Sequence, residues 1–223
     1  MKQDTIMPEE IFPCWETLAT EQQNALKQSI ELRSFSKGEI LHHGGDDCNG
    51  LFLVTNGQLR VFILSQNGKE VTLYRLFTWD ICLFSASCIM KNISFEMHVE
   101  AEKDTEAYIV PAELFESILK VSLPLAEYTN QLMSARFSDV MWTMEQIIFT
   151  GFDSRLASFL IEQSVIEQSD VFLITHDEIA RHMGSAREVV TKMLNYFASE
   201  GMVMLSRGKI TLLDKKKLDN LVQ

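Results

Sequence analysis

No apolar run in this chain approaches the roughly 20 residues that a membrane-crossing helix needs. The strongest, Leu51–Val54 and Val61–Leu64, are only short segments. Met1-Lys2-Gln3-Asp4 leads into an acidic, proline-containing stretch rather than a basic-plus-apolar leader, so a cytoplasmic location with no membrane partner is expected. Cysteine is scarce: Cys14, Cys48, Cys82 and Cys88 show no pair-of-pairs spacing. That argues against a disulfide or zinc framework and for reduced, buried thiols. His42-His43 gives no metal site, because adjacent strand residues point to opposite faces and no second cluster supports them. No nucleophile–base arrangement stands out, so no catalytic residue is assigned.

Positive charge is also short. The net charge of the 223 residues is −11, which by itself argues against a polyanionic partner. Its distribution matters more. Residues 150–223 carry nine Lys/Arg against ten Asp/Glu, and the first 149 carry eleven against twenty-one. The acidity therefore belongs to the N-terminal part and leaves the near-neutral C-terminal part free to approach phosphates. With 46% hydrophobic and 23% charged residues, the chain has enough apolar side chains for ordered cores, and its length suits two small domains.

Residues 20–110 read mainly as β. Leu51–Val54, Gln58–Leu64 and Val71–Phe77 are apolar, β-branched runs. Asn56-Gly57 and Asn67-Gly68 punctuate them with the dipeptide best suited to tight hairpin turns. A last pair is expected at about Ser94–Ala101 and Glu106–Val110, completing a sandwich or barrel. Pro111 suits the start of a short helix, Ala112–Leu119, and Pro124 opens a longer one. Along that helix Met133, Phe137, Val140, Met144 and Ile147 recur at steps of four and three. That spacing is an a/d seam, read here as a dimer contact. Gly151-Phe152-Asp153-Ser154 breaks the helix and is expected to cap the next, Arg155–Gln168.

The most informative segment follows. Thr175-His176-Asp177-Glu178 is a capping box, with Ile179, Ala180 and Met183 as the apolar face of the helix it starts. Gly184 ends that helix, and Ser185-Ala186-Arg187-Glu188 reads as a second box launching another at once. Val189, Val190, Met193, Leu194 and Phe197 form its expected inward face. Small Ala180 and branched Val190 suit the contact and corner of two steeply crossing helices. Met202–Ser206 and Lys209–Leu213 then flank Arg207-Gly208 as a two-stranded wing with a basic tip. A winged helix-turn-helix binding double-stranded DNA is expected. Arg187, Glu188, Thr191 and Lys192 are its base-reading candidates, and Thr175, His176, Ser185, Arg207 and Lys209 its backbone contacts.

Over nearly its whole length the sequence resembles the CRP/FNR family of bacterial transcription regulators. The barrel side rests on Ser36-Lys37-Gly38-Glu39-Ile40-Leu41, Gly44-Gly45-Asp46, Leu51–Val54 with Gly57, and Asn67-Gly68-Lys69-Glu70. The C-terminal side runs from Thr175 to the wing, with Arg187-Glu188 at the family's DNA-reading positions. The resemblance implies an α+β fold. A jelly-roll sensor barrel of the cyclic-nucleotide-binding type would span residues 1–123, a dimerisation helix 124–150 and a winged helix-turn-helix 151–223. It further implies a homodimer on a near-palindromic site and control of transcription through RNA polymerase. Two departures follow. Cyclic-nucleotide binders of the family use an Arg against the cyclic phosphate, yet no Arg lies between Arg75 and Arg136, and Glu96 stands near that place. The iron–sulfur branch uses an N-terminal cysteine cluster, yet Cys14 stands alone. Neither cyclic AMP nor an iron–sulfur cluster is expected, and no cofactor is predicted. Ser85, Ser87 and Cys88 remain as candidates for an effector pocket, with Cys82 and Cys88 weighed as a redox pair against buried, inert thiols.

Overall fold

The computed structural model describes Glu9, Phe12, Ser85 and residues 14–44, 49–83 and 96–222. Two compact units emerge. One comprises residues 1–64 and 73–140; the other comprises 65–72 and 141–223.

In the first unit a 3₁₀ turn, Trp15–Thr17, precedes α1, Thr20–Ser29. The β reading of the segment's start is thus corrected. The α1 sequence is polar with no alternating pattern, and Gln22 Oε1 accepts the Ala19 backbone N–H at 2.9 Å to start a helix. Eight strands follow: β1 Glu31–Phe35, β2 Ile40–His42, β3 Leu51–Asn56, β4 Gln58–Leu64, β5 Glu70–Phe77, β6 Ile81–Cys82, β7 His98–Ala101 and β8 Thr105–Val110. They form two four-stranded sheets ordered β1-β8-β3-β6 and β2-β7-β4-β5. Strand β3 explains its own apolar run. Leu51 and Leu53 face the core beneath the helices, while Phe52 and Val54 face the second core between the sheets. A strand buried on both faces cannot show polar alternation.

Asn56-Gly57 is not a hairpin turn, because β3 and β4 lie in different sheets. It is a corner at which the chain changes sheet. Gly57 has φ +93°, and a Cβ there would lie 2.4 Å from the Asp104 carbonyl oxygen, so no side chain fits. Asn67-Gly68 does close a hairpin, between the neighbours β4 and β5, where Gly68 N–H donates to Ser65 O at 2.9 Å.

Next come α2, Ala112–Leu119, and α3, Leu123–Phe149. Leu125 is buried against the helix-side core, and Met133 and Val140 are partly buried against the sheet core. The barrel also encloses ion pairs. Arg60 Nη2 donates to Glu100 Oε2 at 2.6 Å with both side chains almost wholly buried, and the guanidinium lies 4.1 Å over the Phe62 ring. Arg75 Nε sits 3.0 Å from Glu102 Oε2. Cys14 and Cys82 are buried and not joined in disulfides, and burial pushes the Cys14 thiol up, so it stays protonated.

In the second unit α4, Phe152–Ile166, starts before the expected Arg155 and ends before the expected Gln168; Gly151 occupies the cap position without a side-chain bond. Then come β9 Val171–Leu173, α5 His176–Met183, α6 Arg187–Ser199, β10 Val203–Ser206, β11 Lys209–Leu212 and α7 Lys215–Val222. The wing is a three-stranded sheet ordered β10-β11-β9, one strand more than expected. Its core unites Leu156, Leu160, Ile179, Val190, Leu194 and Phe197 with Ile210 and Leu218.

Removing one partner of a buried ion pair leaves the other charge uncompensated. Glu100→Ala should therefore lower stability by about 3–5 kcal/mol, read as a fall in the urea midpoint with an unchanged slope.

Candidate nucleic-acid interface

The start of α5 is built as its residues require. Thr175 is extended, its Oγ1 accepts the Glu178 N–H at 3.1 Å, and Glu178 Oε2 accepts the Thr175 N–H at 2.7 Å. The reciprocal pair satisfies two of the four amides left open at a helix start. Ile179, Ala180 and Met183 are buried. Gly184 closes the helix in the left-handed region at φ +63°, and the Ser185 N–H donates to Ala180 O at 3.0 Å. A Cβ at Gly184 would lie 2.5 Å from Val71 Cγ2, so space as well as φ demands glycine.

The second capping box is absent. The cap of α6 is Ala186, with no side-chain bond, and Ser185 lies half-buried in the turn. Capping falls away because the inter-helix turn, rather than a side chain, directs the entry into α6. Val190, Leu194 and Phe197 face inward with no exposed surface, but Val189 is 43% exposed, so it leaves the predicted inner face. Arg187, Glu188 and Lys192 are exposed and Thr191 is half-buried. Glu188, Lys192, Asn195 and Ser199 recur at steps of four, three and four, a row pointing away from the core. Asn195 and Ser199 join the expected Glu188 and Lys192 in this row, because the same helical period reaches them.

Two contacts join the start of α5 to α6. Arg187 Nη1 lies 3.3 Å from Asp177 Oδ2, both well exposed. Such a surface pair is worth at most about 1 kcal/mol, so Arg187 can leave it for a base edge at little cost. His176 Nδ1 lies 2.8 Å from Thr191 Oγ1. Burial pushes the His176 pKa below the ordinary imidazole value; the Arg187 charge adds to this and Asp177 opposes it. The wing meets the same end of α5: the Ile174 N–H donates to Gly208 O at 3.1 Å, and Lys209 pairs with Leu173. Thr175 and His176 thus lie beside the tip carrying Arg207 and Lys209.

The chain is similar to known proteins over nearly its whole length. A solved CRP/FNR-family chain from Eubacterium rectale is 54% identical to this one, covering 96% of this chain and 99% of that chain, with a TM-score of 0.93. The present chain belongs to the CRP/FNR family of transcription regulators. Residues 32–122 match the cyclic nucleotide-binding domain and residues 154–221 the Crp-like helix-turn-helix domain. The chain is also similar to two Thermus thermophilus proteins. The transcriptional regulator SdrP is 28% identical over 210 residues, covering 89% of this chain and 97% of that protein. The cyclic AMP receptor protein is 25% identical over 210 residues, covering 94% and 96%.

On the sensor side of this CRP/FNR chain, Ser85 is buried and its Oγ donates to Cys82 O at 3.0 Å, while Ser87 and Cys88 lie outside the described residues. The buried guanidinium groups of the barrel, Arg60 and Arg75, are each engaged by a carboxylate. Among the described residues there is no group of three or more His, Cys, Asp or Glu that could hold a metal ion, and no helix long and apolar enough to cross a membrane. On α3, Phe137, Met144 and Ile147 are exposed, as are Met141 and Ile148, whereas Met133 and Val140 are half-buried beside the barrel.

Losing the Thr175 cap should cost about 1 kcal/mol. A β-branched side chain at φ > 0 should cost more, about 1–3 kcal/mol. Thermal melts should therefore rank Gly184→Val below Thr175→Ala, and Thr175→Ala below the parent chain.

Proposed function

We propose that the protein is a homodimer that binds near-palindromic duplex DNA sequence-specifically, controls transcription through RNA polymerase, and responds through its barrel to an effector other than cyclic AMP. The observation carrying this reading is the outer row of α6. It presents exposed charged and polar side chains at helical spacing on a helix whose opposite face is fully buried. Arg187 is matched to guanine, Glu188 accepts from cytosine, and Lys192 serves guanine or phosphate. Thr175, His176, Ser185, Arg207 and Lys209 surround that row and supply backbone contacts that set register. The acidic remainder of the chain repels phosphate and favours approach by this face.

The dimer reading rests on α3. Phe137, Met141, Met144 and Ile148 are exposed at steps of four, three and four, the spacing of a helix packed against another helix. A second copy of the same helix is the occupant a two-fold DNA site calls for. Met133, Val140 and Ile147 border this stripe. The effector reading rests on the missing arginine and on the carboxylates already engaging Arg60 and Arg75.

Selection from random duplexes should return a site with two-fold symmetry, bound less tightly as salt rises. Recovery of no enriched sequence, with candidate effectors present, would sink the reading. Arg187→Ala should relax preference at one base pair per half-site by about 1–3 kcal/mol and leave other positions unchanged.

Phe137→Glu places a charge in the centre of the exposed α3 stripe. Sedimentation should show monomers with weakened DNA binding; a variant that remained dimeric would mean that the chains associate elsewhere.

A further inference from the structure

The contact between His176 and Thr191 does more than brace two helices. The 2.8 Å separation joins an imidazole at the start of α5 to a hydroxyl on the flank of α6. Both residues are half-buried, so neither is fully surrendered to water. A threonine hydroxyl has one proton to donate and lone pairs to accept with. Whichever role it plays toward His176 limits the role left for a DNA base. We propose that His176 is a positioning residue that sets the hydrogen-bond polarity of Thr191 and so selects the base Thr191 reads. This rests on the DNA-binding reading above.

In the Nε2–H tautomer of the neutral ring, Nδ1 accepts the Thr191 hydroxyl proton, and the Thr191 oxygen faces outward as an acceptor. It then suits an exocyclic amino group, adenine N6 or cytosine N4. In the imidazolium both ring nitrogens are donors. Nδ1–H donates to the Thr191 oxygen, the hydroxyl proton turns outward, and the preferred partner becomes an acceptor, guanine O6 or N7 or thymine O4.

The charged groups facing the ring are Asp177 on its own helix and Arg187 on α6. Burial and Arg187 favour the neutral ring and Asp177 opposes them, so the free protein holds the neutral state at neutral pH. A phosphate beside the start of α5 pulls the other way and favours the imidazolium. DNA sequence, proton uptake and Thr191 polarity are therefore linked.

The test is competitive binding of the full-length protein to a panel of duplexes. Each duplex differs from the selected site at one base pair, and binding is read across roughly pH 8 to pH 5. Thr191→Val identifies the position that Thr191 reads. There the parent should favour an amino-bearing base at high pH, and the ratio should move about three- to tenfold toward acceptor bases as pH falls. His176→Leu should erase the preference at that position alone, and adding Thr191→Val should change nothing more at that position. His176→Asn, which hydrogen-bonds but does not titrate, should keep a preference that no longer varies with pH.

A loss equal across all sequences in His176→Leu, with the preference at the Thr191 position left intact, would make His176 a phosphate contact only and overturn the inference. A preference at the Thr191 position that does not vary with pH in the parent, or that survives in His176→Leu, would overturn it too. Both outcomes leave the DNA-binding reading intact. Failure of the parent to select any sequence overturns that reading first.

Discussion

The corner at Gly184 governs the helix-turn-helix half of this molecule. One residue in the left-handed region ends α5, and α6 begins within three residues of it. Ala180 is small enough for close approach, and Val190, fully buried, fills the angle. With the corner set, the inner row Val190-Leu194-Phe197 is committed to the core. The opposite row, Glu188-Lys192-Asn195, must then face outward. The wing's turn and the start of α5 are drawn together by the Ile174–Gly208 bond. Without the corner these side chains would belong to an ordinary charged helix.

The barrel follows a different logic. Strand β3 is buried on both faces and links two cores, one beneath α1, α2 and the start of α3, the other between the sheets. A barrel so filled has little room for unpaired charge, and Arg60 and Arg75 sit with Glu100 and Glu102 respectively. Buried pairs of this kind add little net stability over apolar packing but are costly to break. The family's sensor architecture is kept, while its buried cations are engaged inside the protein. Helix α3 serves both regions, lending Leu125, Met133 and Val140 to the barrel cores and leaving Phe137 and Met141 on the other side.

Much of this was legible in local chemistry. The Thr175–Glu178 box, the glycine that ends α5, the apolar runs of β3 to β5 and the hairpin at Asn67-Gly68 each depend on residues within a few positions of one another. What was illegible depended on distant partners. Asn56-Gly57 has the residues of a hairpin turn but serves as a corner between sheets, because strand pairing is decided by β8 and β6 beside β3, far along the chain. Ser185 has the residues of a cap, yet the tight turn after Gly184 leaves it no such role. Strand β9, too short to carry a pattern, exists because β11 pairs with it.

The sequence by itself determined the family, the two kinds of domain, the helix-turn-helix and the outer face of α6 that carries Arg187, Glu188 and Lys192, since each follows from local conformational preference and helical period. Only the tertiary structure decided how those side chains are held. Asp177 and Arg187 come together, as do His176 and Thr191, across the turn between α5 and α6, and Met133 and Val140 turn toward the barrel. The physical reason is that spacing along one helix sets which face a residue occupies, whereas hydrogen-bond partners and burial arise only when separate elements pack.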